Sequence, residues 1–177
     1  MSSSATTLTN TSASSDSSVL RVMDIPQSAW SELLARFGLL AVVVPDHSPI
    51  VGSYWGDSEA GLIGQHLYFR ADTPLQSVLH EASHYICMDE ARRRVLQKDA
   101  GGDYDEENAV CYLQILLADH VAGFGRDRML ADMDAWGYTF RLGSARAWFE
   151  QEAQAAQQWL VAAKIIDTAL QPTGQCR

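Results

Sequence analysis

An HExxH motif constrains this chain more than any other feature of its sequence, and it stands in the run LHEASHY at residues 79–85. If the segment is helical, His80 and His84 lie on one face, about 6 Å apart along the helix axis. Two imidazoles at that spacing can bind one zinc ion, with Glu81 facing the coordination position that the protein leaves open. The motif therefore predicts a metal-activated water with a carboxylate beside it.

The residues around the motif predict that it lies on a partly buried helix. Thr73 and Pro74 are typical of a helix start, and Gln76 follows the threonine at the spacing of a capping box. Apolar residues then recur at helical spacing, at Leu75, Val78, Leu79, Ala82 and Ile86. The alternative stays open that the histidines and Glu81 are ordinary residues of an amphipathic helix.

A zinc ion with two histidine ligands needs a third ligand from the protein. The candidates along the chain are Cys87, Asp103, Asp105, Glu106, Glu107 and His120. Cys87 would lie about 10.5 Å from His80 along a helix, which is too far for both side chains to reach one metal. It is better explained as a small buried apolar residue.

A second helix is predicted to begin near Asp103, and its apolar stripe favours Glu106 as the third ligand. The positions three and four residues apart from Glu106 are apolar, namely Ala109, Val110, Leu113 and Leu117. A carboxylate directed at a core is costly unless it is paired or bound to a metal. Because assignments of a helix start differ by one or two residues, Glu107 stays open as the alternative. His120 lies about 21 Å beyond Glu106 along a continuous helix, so it could join the metal only if Glu106 does not.

These two segments together resemble the ImmA/IrrE family of gluzincin metallopeptidases. That family carries HExxH on its active helix and a glutamate on the next helix, in a pattern similar to E-x-x-A-N-x-F-A-x-x-L-L. Here HEASHYI is followed by EENAVCYLQILL, with Glu106 at the glutamate position and Tyr112 at the aromatic one. The resemblance spans residues 39–120.

The resemblance implies a zincin-like fold and a Zn²⁺ cofactor held by His80, His84 and Glu106. It also implies that residues 54–62 flank the substrate cleft. Members of the family often act on transcriptional regulators, so the resemblance implies a specific protein or peptide target.

The composition argues against nucleic acid as a partner. The 177 residues carry a net charge of −9, so a polyanion would be repelled. No stretch of the sequence approaches the roughly 18 apolar residues of a membrane-spanning helix. The three cysteines, at positions 87, 111 and 176, form no CxxC pair and fit free thiols in a reducing compartment. We therefore expect a cytoplasmic protein with neither a nucleic-acid nor a membrane partner.

Residues 1–18 are mostly serine, threonine and alanine, which predicts a disordered tail. The tail lacks the basic start and the hydrophobic core of an export signal. Residues 19–177 are expected to form a single domain.

This remaining part of the chain predicts a small α+β, zincin-like domain. Strands are predicted at 39–44, 50–55 and 62–70, the last two as a hairpin, and further helices at 28–37, 126–136 and 144–170. An antiparallel or mixed sheet is expected to pack on the HExxH helix. The C-terminal half is expected to be helical.

The sequence thus predicts a zinc-dependent peptidase that acts on a protein or peptide, with Glu81 as the catalytic base. Four residues have suitable chemistry to stabilise the oxyanion, namely Tyr112, Tyr138, His120 and Arg141. The alternative function is that of a zinc-binding regulatory or interaction protein. Its site would be structural or catalytically silent, with a side chain in the fourth coordination position.

Overall fold

The computed structural model describes residues 19–56 and 58–177. The tail predicted at residues 1–18 lies outside the described residues and stays a prediction. The described residues form seven α-helices and a three-stranded sheet. This confirms a small mixed α+β fold, whereas its zincin-like character stays a prediction.

The sheet is mixed, with the strand order β1-β3-β2. Strand β1 (Leu40–Val43) runs parallel to β3 (His66–Phe69), and β2 (Gly61–Ile63) pairs antiparallel with β3. Leu67 and Phe69 on the central strand β3 are buried. Of the two sheet types expected from the sequence, the mixed one is therefore present.

Two strand predictions are wrong, one in the existence of the strand and the other in its extent. Residues 50–55 form turns and bends instead of a strand, because Gly52 takes a left-handed φ of 75° that interrupts any extended run. The segment 62–70 holds a turn between β2 and β3, since the chain reverses at Gly64, where φ is 55°. The hairpin thus spans residues 61–69, which is nearly the same stretch that was predicted as one strand.

The outer edge of β2 is covered by residues 51–53. The amide of Leu62 donates a hydrogen bond to the carbonyl of Gly52 at 3.4 Å. A Cβ at Gly61 would lie 2.1 Å from the carbonyl oxygen of Val51. The close approach of two backbones therefore requires glycine at position 61.

The predicted helix of the HExxH motif is present as α2, Leu75–Cys87. The predicted capping box is wrong, because Pro74 is the N-cap and the Thr73 hydroxyl accepts an amide hydrogen bond within the preceding turn. The amide of Leu75 donates instead to the carbonyl of Leu20 at 2.9 Å. A distant chain segment therefore satisfies part of this helix start.

Helix α2 packs most extensively against α4, Tyr104–Ala118. The Asp103 side chain caps α4 by accepting a hydrogen bond from the amide of Glu106 at 2.9 Å. Every residue of α4 from Ala109 onward is buried. Since α4 also contacts two further helices, it has no solvent-facing side over this length.

The other helices are α1 (Ser28–Arg36), α3 (Glu90–Val95), α5 (Gly125–Trp136), α6 (Ala145–Gln151) and α7 (Gln154–Ala162). Helices α1 and α5 agree with the predictions to within one residue, whereas α3 was not predicted. The long helix predicted at 144–170 is wrong. It is divided into α6 and α7, and the left-handed φ of 60° at Lys164 is incompatible with a continuing helix.

One apolar core joins the sheet, α2, α4 and the C-terminal helices. Trp30 of α1 packs edge-on against Phe69 of β3, with ring centroids 5.2 Å apart. Trp148 of α6 and Leu160 of α7 are also buried in this core. No helix among the described residues has both the length and the apolar composition to cross a membrane.

We expect Gly61→Ala to lower the free energy of unfolding by about 3 kcal/mol, because the new methyl group must displace a neighbouring backbone. Gly64→Ala is the matched control, since a Cβ there meets no atom within 4 Å. Only its left-handed φ is unfavourable, at about 1 kcal/mol. Urea unfolding followed by circular dichroism measures both changes. A smaller loss for Gly61→Ala than for Gly64→Ala would contradict the close approach of residues 51–53.

Candidate metal centre

The structure brings the ring nitrogens of the two motif histidines together. The Nε2 atoms of His80 and His84 are 3.1 Å apart. The two rings are perpendicular, with centroids 4.7 Å apart. The histidine spacing in the motif therefore corresponds to a pair of adjacent nitrogen atoms on one face of α2.

Glu107 of α4 is the carboxylate beside these nitrogens. Its Oε2 lies 3.4 Å from Nε2 of His84, and its Oε1 lies 3.6 Å from Nε2 of His80. A tetrahedral ion with bonds of about 2.05 Å holds its ligand atoms about 3.3 Å apart, close to all three separations. Within the described ranges 19–56 and 58–177, this trio is the one such group, with ligand atoms within 4.8 Å of one another. These three side chains could therefore hold a metal ion.

Glu106, the predicted third ligand, does not belong to this group. Its Oε2 accepts hydrogen bonds from Nη1 of Arg92 at 2.8 Å and from Nη1 of Arg177 at 3.3 Å. Glu106 is 4% exposed, and a carboxylate buried to this degree needs a partner, as the sequence predicted. The partners are arginines, however, and the structure places Glu107 beside the histidines.

The apolar stripe does not single out the glutamate that lies beside the histidines, because α4 is buried on every side from Ala109 onward. A stripe identifies the inward face of a helix only when the opposite face meets water. The residues three, four and seven positions after Glu107 include Val110, Cys111 and Gln114, which are as buried as those of the Glu106 stripe. The sequence therefore held no local criterion that separates the two faces.

Gln114 is a site residue that the sequence analysis missed. Its Oε1 lies 2.6 Å from Nδ1 of His80. Because an amide oxygen can only accept, Nδ1 carries the proton and Nε2 keeps its lone pair. A partner of this kind fixes the tautomer and orientation of a metal-binding histidine. Gln114 is fully buried and lies two helical turns beyond Glu107, which is the sequence feature that could have revealed it.

His84 is held in its neutral form. Burial lowers the pKa of His84 well below its usual value, and the nearby His80 and Arg92 lower it further. A neutral imidazole has the lone pair that a metal ion needs. Nδ1 of His84 is buried and has no hydrogen-bond partner among the described residues.

Glu81 lines the same cleft as His80 and Glu107. Burial, and then the negative charges of Glu59, Glu107 and Asp99, raise the pKa of Glu81 to about 8. Desolvation and like charges both disfavour the ionised carboxylate, whereas a nearby cation favours it. A cation bound at the histidines would therefore favour the form of Glu81 that accepts a proton.

Tyr138 is the oxyanion candidate whose ring packs against His80. Its ring packs edge-on against that of His80, with centroids 5.8 Å apart. Its hydroxyl donates to Oε1 of Gln76 at 3.0 Å. Burial raises the pKa of Tyr138 well above its usual value, so the hydroxyl keeps its proton as a hydrogen-bond donor.

The other three oxyanion candidates are less well placed. Arg141 lines the cleft but forms an ion pair with Glu152. Tyr112 is buried and stacks on Phe149, with ring centroids 4.7 Å apart. His120 is exposed just beyond the end of α4. Neither Tyr112 nor His120 is among the described residues that line the cleft.

The centre opens into a cleft with a volume of about 860 Å³. A cleft of this size can bury a ligand as large as a short peptide. Its wall includes Trp55 and Glu59, which belong to the segment 54–62 that the family resemblance predicted beside the cleft. Its aromatic side chains are Trp55, Tyr104, Trp136, Tyr138, Phe140 and Trp148.

Comparisons with known proteins gave no match. No protein-family model, no curated protein and no solved structure matches this chain. The resemblance to the ImmA/IrrE family therefore stays a prediction that rests on the two motifs.

We expect the two adjacent glutamates to differ in their effect on the stability of the metal-free protein. Glu106→Gln should lower the free energy of unfolding by about 2–3 kcal/mol, because it removes a buried charge that pairs with two arginines. Glu107→Gln should change it by less than about 1 kcal/mol, since the Glu107 side chain is 49% exposed. Urea unfolding in the presence of a chelator measures both. Equal losses would contradict the separate environments of the two carboxylates.

Proposed function

We propose that this protein is a zinc-dependent peptidase, with His80, His84 and Glu107 as zinc ligands and Glu81 as the general base. One observation carries the proposal. Three ligand atoms converge to within 4.8 Å of one another, and two of the three residues, His80 and Glu107, line a cleft that Glu81 also lines. A zinc hydrolase requires this combination of a metal site, an adjacent base and space for a substrate.

The chemistry of the ligand atoms suits zinc. Two imidazole nitrogens and one carboxylate oxygen are a known ligand set of catalytic zinc sites. Among the residues that the structure describes, no fourth histidine, cysteine, aspartate or glutamate joins the group. A structural zinc site fills its fourth position with a side chain, whereas a catalytic one leaves it to water. The three-residue group therefore favours a hydrolase over the alternative of a structural or silent site.

When bound, zinc would lower the pKa of a coordinated water toward about 7 and polarise a substrate carbonyl. Glu81 accepts the proton of the attacking water and returns it to the leaving amine. Gln114 keeps Nε2 of His80 free by accepting the hydrogen bond from Nδ1. Tyr138 is the candidate donor to the oxyanion, because its hydroxyl is protonated and its ring contacts His80. In that role the hydroxyl would exchange the hydrogen bond that it donates to Gln76 for one to the oxyanion.

The cleft supports a peptide as the substrate. Its volume of about 860 Å³ accommodates several residues of an extended chain, and its aromatic walls offer surfaces for side chains. The substrate we propose is accordingly a peptide segment of a specific protein. A transcriptional regulator as that protein is a proposal that rests on the resemblance to the ImmA/IrrE family alone.

We expect the purified protein to bind about one zinc ion per chain, and Glu107→Gln to weaken zinc binding at least about tenfold. His84→Ala should abolish it, because two ligands are too few for a stable site. Glu106→Gln is the matched control, since this neighbouring carboxylate pairs with arginines. A competition titration with a zinc-sensitive dye gives the affinities. If Glu106→Gln weakened zinc binding more than Glu107→Gln, the third zinc ligand would be Glu106 instead.

We expect Glu81→Gln to retain zinc but to lose peptide hydrolysis by about 10²–10⁴-fold, because the amide cannot accept the proton of water. The assay incubates the zinc-loaded protein with a mixed-sequence peptide library and identifies new termini by mass spectrometry. Glu90→Gln is the control, since Glu90 is an exposed residue of α3 outside the cleft. Hydrolysis that survives in Glu81→Gln would exclude Glu81 as the base. Zinc binding without hydrolysis by the unmodified protein would favour the regulatory alternative.

A further inference from the structure

The cleft carries more negative charge than the proposed chemistry uses. Its charged lining residues, apart from His80, are Glu59, Glu81, Asp105, Glu107, Glu152 and Arg141. Arg141 is paired with Glu152. If zinc binds, its two positive charges offset those of Glu81 and Glu107. The charges of Glu59 and Asp105 then remain for a ligand to neutralise.

Glu59 differs from Asp105 in being held in a fixed position. Its Oε1 accepts a hydrogen bond from Nε1 of Trp136 at 2.7 Å, across a separation of 77 residues in the sequence. Glu59 is half-buried, whereas Asp105 is an exposed residue in the first turn of α4. The indole donor is neutral, so the carboxylate is oriented without being neutralised.

No lysine or arginine forms an ion pair with Glu59 within the ranges 19–56 and 58–177. A half-buried carboxylate without a counter-charge attracts a cation more strongly than a fully solvated one, because water screens it less. Since the side chain is already oriented, a ligand that pairs with it does not have to order it first. Glu59 therefore has the properties of a recognition group for a positive charge.

The aromatic walls are compatible with the same ligand. Trp136 holds Glu59 and lines the cleft itself, and Trp55 lines it at a position where 77% of its surface is exposed. A guanidinium or ammonium group gains about 0.5–2 kcal/mol on the face of an aromatic ring, and the aliphatic stem of such a side chain covers apolar surface. The net charge of −9 on the whole chain would add long-range attraction for a basic segment.

We propose that the cleft selects peptide segments with an arginine or lysine side chain close to the cleaved bond, and that Glu59 pairs with this side chain. The proposal rests on the peptidase function proposed above and specifies its substrate class. Glu59 would then determine substrate specificity. It takes no part in the proton transfer that Glu81 carries out as the general base.

The test measures peptide binding to the zinc-loaded Glu81→Gln protein. This variant is expected not to hydrolyse the peptide, so the peptide stays intact during the measurement. The probes are three fluorescein-labelled peptides of identical neutral sequence with arginine, norleucine or glutamate at one central position. Fluorescence anisotropy gives their dissociation constants. We expect the arginine peptide to bind about tenfold more tightly than the norleucine peptide, and the glutamate peptide to bind most weakly. The preference should shrink as sodium chloride is raised.

Adding Glu59→Gln to this protein should reduce the arginine preference to about twofold or less and leave norleucine binding unchanged. The glutamine oxygen can still accept the hydrogen bond from Trp136, so the fold is preserved, which a thermal melt verifies. The Asp105→Asn change is the matched control and should retain most of the preference, because Asp105 is exposed and water screens its charge.

Equal binding of the three peptides would overturn the proposal, as would no measurable binding of the arginine peptide or a preference that survives Glu59→Gln. If the norleucine peptide bound most tightly, the aromatic walls would bind apolar side chains of the peptide instead, and the proposal would be wrong. Since binding is measured without turnover, it is independent of the hydrolysis assay. A Glu59-dependent preference in a protein that hydrolyses no peptide would count against the peptidase function and leave basic-segment recognition standing.

Discussion

The packing of α2 against α4 is the contact on which the rest of this structure depends. It forms the centre of the apolar core, and it also sets one helix turn of α2 beside the first turn of α4. The histidines and Glu107 come from those two turns. A change in the rotation of α4 about its axis would therefore move the carboxylate away from the nitrogens even if both helices stayed intact.

The adjacent residues Glu106 and Glu107 show how the orientation of α4 about its axis decides which carboxylate faces the histidines. Successive residues of a helix point about 100° apart, so the two carboxylates leave α4 in different directions. Glu106 enters the protein and meets Arg92 and Arg177, whereas Glu107 faces the histidines and the cleft. The arginine pairs at Glu106 stabilise the rotation that directs Glu107 toward His80. This ion pair thus lies next to the candidate metal centre in the sequence without belonging to it.

Local features of the fold could be predicted from the sequence, because their causes are local. The spacing of His80 and His84 and the apolar period of α2 each depend on a few consecutive residues, and both agree with the structure. The choice between Glu106 and Glu107 depends on how α4 packs, and Arg177 reaches Glu106 across 71 residues. The prediction of one continuous C-terminal helix failed for a related reason. Apolar residues continue through the break at Ala153, so the local pattern does not reveal it.

Three long-range hydrogen bonds orient side chains of the cleft, whose walls come from separate segments of the chain. Gln114 orients His80, Gln76 accepts from Tyr138, and Trp136 holds Glu59. Each bond joins a side chain of the site to another element, so packing and polar orientation act together. Tyr138 and Trp136 flank Gly137, whose left-handed φ of 102° ends α5 and turns the chain along the cleft. One helix end therefore supplies both the residue that contacts a histidine and the residue that orients Glu59.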